Sequence, residues 1–127
     1  MAESIVVDAY TWIEFFRGTE KGKKLLLLLE KTDLITPSIV IAELSFKYLK
    51  EKIDFSNRFN FIKTKSKISS LDASLAAIAG KIRYARKHIE GWGIADSIIL
   101  ATSKFYKSKI ITGDEHFRDL KEAIMIK

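Results

Sequence analysis

The chain has 127 residues, of which 47% are hydrophobic and 30% charged, with a formal net charge of +6. That mix describes a globular domain of 1–127 with one core, and it excludes a disordered or fibrous chain. The absence of cysteine excludes a disulfide framework and a thiolate metal site, and no apolar run approaches the ~20 residues of a membrane helix, so a cytoplasmic protein with no membrane partner is expected.

In chain order, Ser4 to Val7 reads as a short buried strand followed directly by Asp8. Tyr10 to Arg17 has helical spacing, with Trp12, Phe15 and Phe16 on a face and Gly18 as a stop. Glu20 to Glu30 is a second helix with a stripe of Leu25, Leu28 and Leu29. Leu34-Ile35 is a strand, and Thr36-Pro37 reads as an N-cap and first residue of a helix carrying Ile39, Val40, Leu44 and Tyr48. Asp54 opens a further helix, Ile68 to Leu71 reads as a strand, and Asp72 caps a long helix with the stripe Leu75, Ile78, Ala79, Ile82 and Ala85. Gly91 and Gly93 end it. A helix around Asp96, a strand at Ile110-Ile111, a short helix from Glu115 and a strand from Ala123 to Ile126 complete the chain.

Strands separated by helices imply βαβ units, hence an α/β fold with a short, mainly parallel central sheet covered by helices. Ligands in such sheets bind beyond the carboxyl ends of the strands, which singles out Asp8 and Asp114. Glu43 and Asp96 then have to converge there from their helices. Each acid alone has a plainer reading: Asp8 and Asp114 as N-caps, Asp96 as a first-turn acid favoured by the helix dipole, and Glu43 as the partner of Lys47 four residues on. Glu43 resists that treatment most, because Ile39, Val40 and Leu44 surround it and predict a buried carboxylate. Four carboxylates within ~4 Å of one another repel by about 4 kcal/mol per pair at an effective dielectric of 20, so a divalent cation is the expected counter-charge. All-oxygen ligation suits Mg²⁺ or Mn²⁺ better than zinc.

The positive charge is unevenly spread. Lys47 to Lys109 holds fourteen Lys or Arg against five acids, a local +9 that favours a polyanionic partner. Lys81, Arg83, Arg86 and Lys87, on the polar side of the helix before Asp96, are the candidate residues for binding such a polyanion; the alternative is a solvated helical surface. Acids, a divalent cation and a basic flank together point to phosphodiester chemistry.

Four segments, Asp8 to Phe16, Thr36 to Leu44, Ala95 to Thr102 and Ile111 to Phe117, resemble the ordered blocks of a PIN domain, and more narrowly archaeal VapC-type toxins of toxin–antitoxin pairs. The resemblance covers nearly the whole chain. It implies a PIN-like three-layer α/β/α fold and a Mg²⁺- or Mn²⁺-dependent endoribonuclease acting on structured RNA, with a VapB-like antitoxin as partner and a homodimer as its assembly. By that resemblance Asp8, Glu43, Asp96 and Asp114 are the catalytic and metal-binding acids, and Thr112 is the small hydroxyl residue that supports them. Ala9 departs from the pattern, where many relatives carry Ser or Thr. Thr11 and Ser97 could bond water at the site or serve helix N-termini. His116 reads as a packing or supporting residue rather than a ligand, and Trp92 as core packing rather than a base-stacking ring. Two other classes compete: a catalytically silent PIN-like module that binds RNA or protein, and a phospho-acceptor receiver domain. The receiver needs an adjacent acid pair near the first strand and an acid ending the third, and neither is present.

Overall fold

Five short runs rich in β-branched residues pair into one sheet: β1 (Ser4–Val7), β2 (Asp33–Pro37), β3 (Ser66–Ser69), β4 (Lys109–Thr112) and β5 (Ala123–Met125). The computed structural model describes residues 3–126. Between the strands lie α1 (Ala9–Arg17), α2 (Glu20–Leu28), α3 (Ser38–Lys50), α4 (Ser56–Lys65), α5 (Ala73–Ala85) and α6 (Ile94–Tyr106), with a 3-10 turn at Glu115–Phe117. All strand pairs are parallel, in the order β3-β2-β1-β4-β5.

This order decides where chemistry can happen. The chain steps outward from β1 to β2 to β3, then returns across the sheet to β4 and continues to β5. With right-handed crossovers, α1 to α4 cover one face and α5 with α6 the other, the expected three layers. The order reverses between β1 and β4, and the crevice at the carboxyl ends of those two strands is where such sheets take ligands. Val7 and Thr112 end the two strands, so Asp8 and Asp114 stand on either side of the crevice.

Burial on both faces explains why the central strands read as continuous apolar runs rather than alternating ones. Val6, Val7, Ile110 and Ile111 are enclosed, with Trp12, Leu44, Leu100 and Phe117 packed around them. The Trp12 ring stacks on Phe16 at 5.7 Å between centroids and meets Phe15 and Phe61 edge-on, and its Nε1 donates to Thr36 Oγ1 at 3.1 Å.

That last bond corrects the Thr36-Pro37 reading. Thr36 is a buried strand residue whose hydroxyl also meets Ser66 Oγ at 2.8 Å, and Pro37 stays extended opposite Ser69 while the helix begins at Ser38. Pairing with β3 carries β2 two residues further than propensity indicates. The same pairing places β3 at Ser66–Ser69, and Leu71 is exposed beyond it. On α5, Leu75 and Ala79 are buried against α6, whereas Ile78 and Ala85 face outward.

α1 and α2 approach so closely at Gly22 that a Cβ there would lie 2.2 Å from the Glu14 carbonyl oxygen. Backbone cannot step aside as a side-chain tip can. Gly22→Ala is expected to cost at least about 2 kcal/mol, on the order of 8 °C in melting temperature. Gly80→Ala, inside α5 with nothing within 4 Å, is expected to stabilise by about 0.5–1 kcal/mol. Thermal melts of both variants check the pair, and similar shifts for the two would contradict the packing described.

Candidate functional site

Asp8 sits where β1 turns into α1, and it is 1% exposed. Its Oδ1 accepts from the Thr11 backbone N–H at 2.9 Å, capping the helix, and its Oδ2 accepts a short hydrogen bond from the Thr112 hydroxyl. Thr112 Oγ1 in turn accepts from the Asp114 N–H at 3.0 Å. The Thr11 hydroxyl donates to the Ile111 carbonyl at 2.8 Å, a second tie between α1 and β4. Burial pushes the Asp8 carboxyl up to about 7, opposed by the Thr112 and Thr11 hydrogen bonds and reinforced by Asp114.

Asp96 occupies the first turn of α6. Its Oδ2 accepts from the Gly93 N–H at 2.9 Å, so it does cap, while its Oδ1 lies 3.2 Å from His116 Nε2. Asp114 precedes the 3-10 turn, but its side chain makes no capping hydrogen bond, which removes the plain reading for that residue. Asp96, Asp114 and His116 each offer a ligand atom, all within 4.8 Å of one another.

Glu43 departs from expectation. It is exposed rather than buried. Lys47, its candidate partner, pairs with Glu51. Glu43 still belongs to the cluster: desolvation, then Asp96, Asp8 and Asp114 in that order, push its carboxyl up to about 7. Solvent access weakens the desolvation share for this residue, which leaves repulsion from the other three acids as the more telling cause. The four sequence-selected acids therefore converge from four separate segments of the chain.

The supporting residues divide. Thr112 holds Asp8 directly and Thr11 holds it through its N–H. Ser97 is buried, accepting from Trp92 Nε1 at 2.8 Å and donating to the Gly93 carbonyl at 3.0 Å. Both of its contacts fix the entry to α6, so it braces Asp96 from behind rather than facing the acids. Trp92 is core packing, as its sequence context indicates.

Among the four basic candidates, Lys81 and Lys87 are exposed and Arg83 is half-buried. Arg86 is committed elsewhere. Its guanidinium bonds both carboxylate oxygens of Asp119 at 2.8 and 3.0 Å, reaches the His116 carbonyl at 3.1 Å and stacks 4.1 Å above the Trp92 ring. It clamps the segment bearing Asp114 and His116 to the end of α5. No local pattern signals this contact, since Asp119 lies 33 residues away. Tyr10 was also missed. A Cβ on Gly113 would fall 2.1 Å from the Tyr10 ring, so that glycine lets the ring pack against the turn leading to Asp114.

Two carboxyls at about 7, two more beside them and an imidazole form a donor set that fits a divalent cation by charge and by ligand type.

A family model for the PIN domain matches residues 5–123. No curated protein sequence matches the chain. Solved structures do. A toxin–antitoxin complex from Klebsiella pneumoniae superposes with a TM-score of 0.80 at 18% identity, over 97% of this chain and 98% of that one. The sarcin-ricin loop cleaving toxin VapC20 from Mycobacterium tuberculosis gives 0.73 at 14% identity, over 92% and 95%. FitAcB from Neisseria gonorrhoeae gives 0.67 at 27% identity, over 95% and 96%.

The raised carboxyls fix a pH dependence. Asp8 and Glu43 hold protons in the fold that the unfolded chain releases, so their effect is fully favourable below about pH 4 and is lost as pH rises to about 7. The lowered carboxyls Glu51, Asp54, Asp119 and Glu122 act oppositely and below that window, stabilising above about pH 4. Cation-free protein should therefore lose stability between pH 5 and 7.5, with Asp8 alone contributing roughly 2 to 3 kcal/mol across that window. Asp8→Asn keeps an acceptor for Thr11 and should flatten the profile while raising the melting temperature at pH 7.5. Melts across pH for both proteins test this, and equal slopes would refute it.

Proposed function

This chain belongs to the PIN domain family, and from that membership we propose that it is a metal-dependent endoribonuclease, the toxin half of a VapBC-type toxin–antitoxin pair. The carrying observation is the convergence of Asp8, Glu43, Asp96 and Asp114 at the strand-order reversal, two of them with carboxyls pushed up to about 7. The naming of a sarcin-ricin loop cleaving toxin and a toxin–antitoxin complex among the structural neighbours supports RNA as substrate and an antitoxin as partner. The whole chain, 1–127, acts in this reading as one catalytic unit in the cytoplasm. No helix among the described residues is long and apolar enough to cross a membrane.

The four acids would hold Mg²⁺ or Mn²⁺, which supplies Lewis acidity for phosphodiester hydrolysis. The chain's own contribution is geometric and electrostatic. Thr112 and Thr11 fix both oxygens of Asp8, so this carboxylate cannot rotate away from the crevice. The Gly93 N–H fixes one oxygen of Asp96 and leaves the other directed at the cluster. Glu43, exposed at the cluster, would in this reading accept a proton from water. In this reading Lys81, Arg83 and Lys87 on α5 attract the phosphates of the RNA, whereas Arg86 serves the architecture. An antitoxin would silence such a site most directly by inserting a basic side chain among the acids. A homodimer also belongs to this reading, with exposed Leu71, Ile78 and Phe105 as apolar surface available to a second copy.

Asp96→Asn is expected to lower RNA cleavage by at least about 100-fold, and chelation of divalent ions should do the same to the native chain. Cleavage that survives either treatment in nuclease-free preparations rejects the assignment. The basic track has its own test. Replacing Lys81 and Lys87 together with Gln should flatten the log-log dependence of RNA affinity on salt by about 1.4, at ~0.7 per single-strand phosphate contact. Arg86→Gln should instead lower the melting temperature. An unchanged slope in the double variant returns those lysines to the solvated surface.

A further inference from the structure

The imidazole of His116 has a buried Nε2 that makes no hydrogen bond, although Asp96 Oδ1 is only 3.2 Å away. Buried nitrogens in folded proteins ordinarily find a partner. The ring itself is well held. It meets Trp92 edge-on with centroids 5.8 Å apart and lies against Phe117 at 5.3 Å, while Arg86 grips its carbonyl oxygen. Its Nδ1 side faces Gly91, where a Cβ would stand 3.7 Å away and where φ is +82°. Gly91 backs the ring on that side, and Nε2 is the nitrogen presented to the acids.

Spacing then identifies what Nε2 awaits. Neighbouring ligands on an octahedral ion with bonds of about 2.1 Å stand roughly 3.0 Å apart. The pair Asp96 Oδ1 and His116 Nε2 lies near that separation, and Asp114 supplies a third atom within 4.8 Å of both. An ion pair with a protonated ring would meet at this distance too, but the Nε2–H would not be aimed at the carboxylate, since no hydrogen bond forms there.

We propose that His116 is a direct ligand, through Nε2 and beside Asp96 and Asp114, of the cation this site holds, and that it biases the site toward Mn²⁺ and later transition ions over Mg²⁺. The inference rests on the metal-dependent reading above and deepens it. Imidazole suits the borderline ions, while Mg²⁺ takes oxygen ligands and keeps its water. His116 thus gives an otherwise all-carboxylate site a preference among cations.

The test is spectroscopic and uses the full chain with Mn²⁺ as the probe. Electron spin-echo modulation of bound Mn²⁺ should show nitrogen coupling in the native protein and in His88→Gln, which removes the only other histidine. The coupling should vanish in His116→Gln. Titration calorimetry should show the preference for Mn²⁺ over Mg²⁺ falling by roughly tenfold in His116→Gln. Mn²⁺ that binds to His88→Gln without nitrogen coupling overturns the inference and leaves the metal-dependent reading intact, even if His116→Gln does not fold. Coupling that persists in His116→Gln overturns it as well. Failure of the native protein to bind either ion overturns both readings together.

Discussion

The hydrogen bond from Thr112 to Asp8 crosses the line along which the strand order reverses, and the arrangement of the acidic crevice depends on it. On one side it fixes the carboxylate that ends β1; on the other it fixes the residue two before Asp114. A carboxylate this enclosed is costly unless its oxygens are occupied, and here one is taken by a hydroxyl and the other by a helix N–H. The two bonds do not cancel the cost of burial, since the carboxyl still rises to about 7. The remaining imbalance gives the crevice its appetite for positive charge.

The surrounding parts divide into those that aim the acids and those that hold the aiming parts. Trp12 bonded to Thr36 seats α1 on the sheet, and Ser97 bonded to Trp92 seats the start of α6. Arg86 ties the turn after β4 to the end of α5. Asp8 and Asp96 are at once helix caps and members of the cluster. The structural and functional readings of such residues are not exclusive: a cap already holds one oxygen in place and leaves the other pointed.

Much of this could be read from residues alone, because strand ends and the acids that follow them are adjacent in sequence. Asp8 after Val7 and Asp114 after the Ile110-Ile111 run are local signals, and the parallel sheet turns them into neighbours. Exposure of Glu43 was not legible, since its apolar neighbours at helical spacing describe its own helix and say nothing of what stands opposite. Arg86 read as a surface cation because its partners lie in a segment 30 or more residues away. Thr36 and Pro37 carry the local chemistry of a helix start, and pairing with β3 overrides it. Nothing in the residues around Gly113 tells that Tyr10, over a hundred positions earlier, fills the space beside it.

The raised carboxyls have a consequence for the order of events after synthesis. A site built from fully ionised acids would resist closure until a cation arrived, making folding wait on supply. Here protons are available as temporary occupants, because two of the four groups hold them up to about neutrality. A chain whose acids can be neutral when the crevice closes does not need a cation in order to fold, so the fold and whatever later occupies the crevice are separable.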